Sequence, residues 1–279
     1  MSDQTAIPSS PALEYARARG LHALVIAKDG DIVAEEYGEH TDRQTPHALY
    51  SGTKSFWGIA AIMATRDGIL ELDEPVAQTF TEWKADSWKR RVTLRELLSL
   101  TSGIGLGGLG ASVPTYSKAL DVQLRDEPGT TFTYGGIPLQ IFGAVLARKL
   151  ISQGLTPHDY LALRVLDPIG VHVARWRTLA DGTHPLPTGA FLAAAEWLKF
   201  GLYVAAHRQD FAECFKGSSA SPRYGLGFWL APKGLPPDLV YASGARGQGL
   251  YIVPSRETVV VHFGDSSSFK HEAFLKRLF

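Results

Sequence analysis

The residues best suited to chemistry are a serine and a lysine three positions apart, Ser51 and Lys54. Residues three apart on a helix share a face, so a hydroxyl and an amine placed there can meet without help from the rest of the fold. A serine hydroxyl is a poor nucleophile near neutral pH and needs an adjacent base. A buried lysine can act as that base, because burial disfavours the charged ammonium and lowers its pKa. The spacing therefore predicts a nucleophile and its base where a helix begins.

The Ser-x-x-Lys pattern is common by chance, so its surroundings decide its meaning. A second copy runs from Ser267 to Lys270, and we interpret it as a structural cap on a final amphipathic helix. A simple N-cap is the corresponding alternative for Ser51. Around Ser51, however, apolar residues recur at helical spacing over 56–63, and a stop follows at 67–68. We therefore expect the helix after Ser51 to be buried in a core.

Composition limits the classes of protein that this chain can represent. Its 279 residues suit one large domain or two intimate ones, and 45% hydrophobic with 20% charged residues is ordinary for a globular protein. A net charge of zero gives no reason to expect nucleic acid or an anionic membrane as a partner. The lone Cys214 rules out an internal disulfide and a multi-cysteine metal site.

Residues 1–20 lack the hydrophobic region of a signal peptide, and no apolar run is long enough to span a bilayer. We therefore expect a cytoplasmic protein with no membrane partner. The sequence leaves the oligomeric state undetermined.

The chain begins with strand character and continues with helices. Two short apolar runs at 21–27 and 31–37 flank a turn, which predicts a β-hairpin. Residues 73–215 are mainly helical in pattern. This region has a capping box at 93–96 and further helix patterns after Pro138 and over 193–206.

Strand patterns return in the last quarter of the chain, at 224–230, 239–243, 249–253 and 258–263. Strands at both ends with helices between them predict an α+β fold. Its antiparallel sheet would be built from both chain ends and flanked by helices. We expect a discontinuous sheet domain of residues 1–72 and 216–279 and an inserted helical domain of residues 73–215.

Other chemical patterns are weaker. Residues 105–110 have Gly-x-Gly-x-x-Gly spacing, but a dinucleotide site needs this loop between a strand and a helix. Here the loop follows a predicted helix, so we favour a flexible loop. No Gly-x-Ser-x-Gly elbow occurs, which argues against an α/β-hydrolase. The histidines lack zinc-site spacing, and we expect no metal.

Four blocks, in a fixed order, add to Ser51 and Lys54. They are Val-Thr-Leu-Arg-Glu-Leu-Leu-Ser-Leu-Thr-Ser-Gly at 92–103, Glu-Pro-Gly-Thr-Thr-Phe-Thr-Tyr at 127–134, Tyr-Gly-Leu-Gly-Phe-Trp at 224–229 and Tyr-Ala-Ser-Gly at 241–244. Together they resemble the β-lactamase-related serine hydrolases, which include class C β-lactamases, penicillin-binding proteins, esterases and 6-aminohexanoate-dimer hydrolases. The resemblance covers about residues 20–264 and implies a sheet domain and a helical domain with the site in the cleft between them.

The resemblance also assigns roles to individual residues. It implies that Ser51 is the nucleophile, Lys54 its base and Tyr134 the proton relay to the leaving group. The backbone N–H groups of Ser51 and Ala245 would stabilise the oxyanion. The positions that correspond to substrate binding are Gly136, Ser243 and Gly244.

Two departures from the family pattern bear on the substrate. Gly136 stands where the family often has asparagine, and Ala242 stands where its third motif often begins with lysine. A site that lacks both polar side chains should not select β-lactams over other substrates. Arg246 follows the third motif, and its guanidinium could replace the lost lysine as an anchor for a substrate carboxylate. A solvated hairpin arginine is the alternative.

We therefore expect a serine hydrolase that acts without a cofactor on a small ester, with an amide as second choice. Three other functions are open: an amidase acting on linear oligomers or a β-lactam, an acyltransferase, and a penicillin-binding-like sensor without turnover.

Overall fold

The computed structural model describes residues 10–279. Two predictions reach beyond the described residues. The segment 1–20, in which we found no signal-peptide pattern, and the predicted sheet domain both include residues 1–9, which lie outside the described part. None of the helices formed by residues 10–279 is long and apolar enough to cross a bilayer.

Strands from both ends of the described chain form the main sheet. The strands are β1 (Leu21–Lys28), β2 (Asp31–Tyr37), β3 (His47–Ala48), β4 (Arg175–Trp176), β5 (Ala190–Leu192), β6 (Trp229–Leu230), β7 (Val240–Ser243), β8 (Gly249–Val253) and β9 (Thr258–Gly264). Six of them form an antiparallel sheet in the order β2-β1-β9-β8-β7-β6, and β3, β5 and β4 form a small second sheet. Central strands β1 and β9 pair with Val25 opposite Val261. The predicted antiparallel sheet built from both chain ends is confirmed.

One strand prediction was wrong in extent. Within 224–230 only Trp229 and Leu230 join the sheet, by pairing with β7. The preceding residues form a turn, in which Gly227 has a φ of 82° and the N–H of Gly225 donates to the carbonyl of Phe228 at 2.9 Å. The apolar pattern indicates burial, and these residues are indeed buried. They do not form a strand, because Gly227 permits a left-handed backbone that turns the chain.

The helices are α1 (Pro11–Arg17), α2 (Lys54–Arg66), α3 (Leu94–Leu98), α4 (Tyr116–Leu120), α5 (Ile137–Leu150), α6 (Pro157–Leu161), α7 (Ala194–Ala206) and α8 (His271–Leu278). The capping box of α3 is present, with the side chains of Thr93 and Glu96 each accepting from the other's backbone N–H. The cap predicted for α8 at Ser267 was wrong, because its N-cap is Lys270. The chain is still extended at Lys270, with φ −118° and ψ 113°.

Helix α2 is buried against other helices, among them α7, which packs on the sheet. Phe56 is fully buried and meets Phe200 of α7 edge to face, with ring centroids 4.7 Å apart. Trp197 of α7 in turn stacks on Phe263 of β9 at 5.5 Å. Burial of each such ring stabilises the fold by about 1.5–3 kcal/mol, which fixes α2 firmly in place. Helix α7 falls within the predicted helical range yet packs on the sheet, and the proposed domain boundary stays a prediction.

Candidate active site

A short 3-10 turn, Tyr50–Thr53, presents Ser51 immediately before α2. Tyr50 has a φ of 46°, in the left-handed region that non-glycine residues rarely adopt, and such strain is typical of functional turns. The N-cap of α2 is Thr53, so Ser51 is not the cap of that helix, and the alternative of a simple N-cap is wrong. The Ser51 hydroxyl is therefore free to face the lysine one turn later.

Lys54 is the most unusual charged residue of the site, because its side chain is only 1% exposed. Its Nζ lies 3.0 Å from Ser51 Oγ and donates to the carbonyl of Pro187 at 3.2 Å. Burial lowers the pKa of Lys54 to about 7, since the charged ammonium loses its hydration. A large fraction of the side chain is consequently the neutral amine at physiological pH.

A buried glutamine supports the carbonyl that Lys54 contacts. The side chain of Gln140 is fully buried; its Oε1 accepts from the N–H of Leu186 at 2.8 Å, and its Nε2 donates to the carbonyl of Pro114 at 2.6 Å. Trp57 Nε1 also donates to the carbonyl of Leu186, at 2.7 Å. Gln140 and Pro187 were missed in the sequence. The one available indication was a polar residue within the apolar pattern of α5.

Tyr134 lies over the same lysine. Lys54 Nζ is 4.9 Å from the centroid of the Tyr134 ring, within the range of a cation–π contact. The ring stacks on Trp229 at 5.7 Å and meets Tyr224 edge to face at 6.2 Å. Burial raises the pKa of Tyr134, while hydrogen bonding with the Ser51 side chain acts in the opposite direction. Tyr134 is therefore a protonated phenol at neutral pH, close to both Ser51 and Lys54.

The block at 92–103 holds the segment that carries Tyr134. The carbonyl of Leu100 accepts from the N–H of Thr133 at 2.9 Å, and that of Thr101 accepts from Gly129 at 2.8 Å. Leu100 itself has a φ of 60°, and this left-handed backbone turns the chain toward the segment that carries Tyr134. The two sequence blocks thus form one unit.

The end of β7 abuts the turn that carries Ser51. A Cβ atom on Gly244 would collide with the carbonyl oxygen of Leu49, so only glycine allows this approach. The N–H of Gly244 donates to the carbonyl of Gln248 at 2.7 Å, and Gln248 Nε2 donates to the carbonyl of Ala245 at 3.0 Å. Among residues 10–279, the N–H groups of Ser51 and Ala245 have no backbone or side-chain acceptor. They are available as donors to a bound oxygen.

The glycine-rich loop fills the space beside Gly136. The N–H of Gly136 donates to the carbonyl of Gly107 at 2.9 Å, and a Cβ on Gly136 would collide with the carbonyl oxygen of Gly108. The departure from asparagine at this position thus has a structural reason. Ala242, the second departure, is buried in the core. The loop lies between α3 and α4, which is not the strand-to-helix position that a dinucleotide site needs.

Arg246 occupies a strained, exposed turn after β7, with a φ of 65°. Its guanidinium forms an ion pair with Asp265. Its role as an anchor for a substrate carboxylate stays a prediction, and such a substrate would compete with Asp265. Ser243 lies at the end of β7 and is half-buried.

The β-lactamase family model matches residues 14–273 of the chain. The chain is 23% identical to Protein flp of Staphylococcus aureus (strain MW2) over an aligned length of 158 residues, and the match covers 49% of this chain and 32% of that protein. The match thus spans about a third of that curated relative.

Solved structures show the same fold. EstCE1, a hydrolase with promiscuous acyltransferase activity, has a TM-score of 0.77 at 18% identity, with 95% of each chain covered. A class C β-lactamase from Rhodobacter sphaeroides has a TM-score of 0.75 at 16% identity, with 96% of this chain and 97% of that chain covered. Identities this low show a shared fold alone, but the family match extends over most of the sequence. The chain belongs to the β-lactamase family of serine hydrolases, whose members include esterases, amidases and β-lactamases.

Proposed function

We propose that this chain hydrolyses a small carboxylic ester through an acyl-enzyme on Ser51. The observation that carries the proposal is the 3.0 Å contact between Ser51 Oγ and the buried amine of Lys54. A base in hydrogen-bond reach of the nucleophile, with a pKa of about 7, suits catalysis near neutral pH.

Acylation follows from the positions of three side chains. Ser51 Oγ attacks the ester carbonyl while its proton passes to Lys54 Nζ, and the carbonyl oxygen becomes an oxyanion. The free N–H groups of Ser51 and Ala245 would stabilise that charge. When the intermediate collapses, the bond to the alcohol oxygen breaks. That oxygen takes the proton of Tyr134, which is restored from Lys54.

Deacylation repeats these steps with water in place of the alcohol. Water attacks the acyl carbonyl and gives a proton to Lys54, and Ser51 leaves and regains a proton. No cofactor takes part in this scheme.

Two features favour an ester over an amide or a β-lactam. Gly136 and Ala242 supply no side-chain donor, so amide and carboxylate groups of a β-lactam would lack partners here. The alcohol oxygen that an ester expels is also less basic than the nitrogen that an amide expels, so it demands less of the proton donor.

The test combines labelling with turnover. A fluorophosphonate probe should modify Ser51, as shown by mapping the labelled peptide, and Ser51→Ala should abolish steady hydrolysis of a p-nitrophenyl ester. Ser267→Ala is a matched control, because Ser267 has the same spacing to a lysine but is exposed. Labelling at another serine, or turnover that survives Ser51→Ala, would refute the assignment.

The kinetics also separate the other functions. A single stoichiometric burst without turnover would indicate a penicillin-binding-like sensor. Product that forms only with added alcohol or amine would indicate an acyltransferase, and turnover restricted to linear amides would indicate an amidase.

A further inference from the structure

Behind the aromatic side chains that pack on Tyr134 lies a cavity of about 420 Å³, which we call the aromatic cavity. Its walls include the rings of Phe132, Tyr224, Trp229 and Tyr241, and Arg223 and Ser243 also line it. We propose that the aromatic cavity binds the leaving group of the substrate, and that this group is an aryl alcohol carrying an anionic substituent held by Arg223. The inference rests on the proposed ester hydrolysis and extends it to a substrate class.

The shape and walls of the cavity favour a flat ring. Trp229 stacks on Tyr241 with an interplanar angle of 20°, and Tyr224 meets Trp229 edge to face at 4.9 Å. Rings of this kind bind other rings by offset or edge contacts, each worth more than the buried area alone. A volume of 420 Å³ lies within the range of small-molecule sites.

The contacts between the cavity walls and Tyr134 indicate which half of the ester the cavity holds. Trp229, Tyr224 and Phe132 all line the cavity and also pack on the Tyr134 ring, with centroids 5.7, 6.2 and 6.5 Å away. A group in the cavity therefore contacts the same rings that pack on the proposed proton donor. The half of the ester that takes a proton during acylation is the alcohol, so the cavity suits the leaving group.

Arg223 provides charge recognition at this cavity. Its side chain is exposed, and within residues 10–279 it forms no ion pair. The guanidinium faces Tyr241 on the cavity wall, where it opposes the rise in the pKa of Tyr241 that burial causes. Glu272, the carboxylate that Arg223 also influences, is paired with Lys276 at 2.9 Å. A guanidinium that forms no ion pair can bind a carboxylate through two parallel hydrogen bonds.

The experiment compares two acetyl esters that share an acyl group. One is the ester of 3-hydroxybenzoate and the other is the ester of 3-hydroxybenzamide, which replaces the charge by a neutral amide. The expected result is that Arg223→Gln lowers kcat/KM about fivefold for the anionic ester only, as for an exposed ion pair. Arg90→Gln is the control, because Arg90 is exposed, lies outside the cavity and forms no ion pair within the described chain. It should change neither rate.

Deacylation separates a leaving-group site from an acyl site. The alcohol has departed before water attacks, so Arg223→Gln should leave the hydrolysis rate of the acetyl-enzyme unchanged. A change in that rate, or an equal loss for both esters, would overturn the proposal.

A binding measurement keeps the inference separate from the proposed function. Calorimetry on Ser51→Ala should show that 3-hydroxybenzoate binds more tightly than 3-hydroxybenzamide, and that Arg223→Gln removes the difference. Equal affinities would overturn the cavity proposal even if Ser51 proves to be the nucleophile. If hydrolysis survives Ser51→Ala while selective binding is present, the proposed function fails and the anion-selective cavity stands.

Discussion

Replacing Lys54 by methionine tests the electrostatic basis of the site. Methionine has a similar length and no charge, and Lys54 is only 1% exposed, so the change should fit the core. The variant should lose hydrolase activity and yet be more stable than the parent protein below pH 7.

The size of this effect follows from the pKa of Lys54. Lowering a lysine pKa from 10.5 to about 7 costs roughly 5 kcal/mol of folding free energy below pH 7, where the folded and the unfolded lysine are both charged, at about 1.4 kcal/mol per pH unit. Methionine removes this cost but leaves the carbonyl of Pro187 and the Ser51 hydroxyl without a donor, at about 1–3 kcal/mol. The net gain below pH 7 is thus about 2–4 kcal/mol.

The sign of the pH dependence is fixed by linkage. Between pH 7 and 10.5 the unfolded lysine holds a proton that the folded lysine has lost, so the stability of the parent protein rises with pH. Below pH 7 both states hold the proton, and the lysine adds no slope. The advantage of Lys54→Met should therefore shrink by about 2 kcal/mol between pH 7 and pH 9.

Urea unfolding of both proteins at four pH values from 6 to 9 measures the difference in their free energies of unfolding. Contributions from other titrating groups are the same in both proteins and drop out of that difference. In parallel, kcat/KM of the parent protein should fall on the acid side with an apparent pKa near 7, because only the neutral amine accepts a proton from Ser51. A stability difference that stays constant across the pH range, with no inflection in the rate, would refute the reasoning.

Three other changes test the surroundings of Lys54. Gly136→Asn should destabilise the protein by about 1–3 kcal/mol through collision with Gly108 and should not confer β-lactam hydrolysis, as thermal unfolding and a nitrocefin assay would show. Tyr134→Phe should lower kcat by about 10²–10⁴ for alkyl esters but far less for p-nitrophenyl esters, whose leaving group needs no proton; an equal loss for both would argue against a proton relay. Gln140→Leu should move the acid inflection of kcat/KM to lower pH, because a displaced Pro187 carbonyl no longer stabilises the ammonium; an unmoved inflection would limit Gln140 to a structural role.

Local patterns accounted for the parts of the fold that depend on neighbours in the chain. The β1–β2 hairpin and α2 followed from spacing alone, and so did the meeting of Ser51 and Lys54, since they stand three positions apart. The strand predicted at 224–230 failed because an apolar pattern records burial, whereas the backbone at Gly227 turns.

Contacts between distant segments could not be derived in this way. The carbonyl that meets Lys54 belongs to Pro187, 133 positions further along the chain, and Gln140 fixes it from a third segment. No periodicity encodes such a meeting. Tyr134 entered the candidate site only through family resemblance, which carries tertiary information that spacing lacks.

Burial alone makes Lys54 available as a neutral amine near pH 7. Desolvation is the cause of the low pKa of Lys54, and Tyr134 above it stays a neutral phenol. A large fraction of the resting centre is thus uncharged at pH 7, whereas Arg223 and the pair of Arg246 with Asp265 are charged and exposed. A base made in this way depends on closure, because any opening that lets water reach Lys54 raises its pKa toward 10.5 and protonates it at pH 7. Packing at Gly136, Trp229 and Pro187 therefore sets the chemistry as directly as the catalytic side chains do.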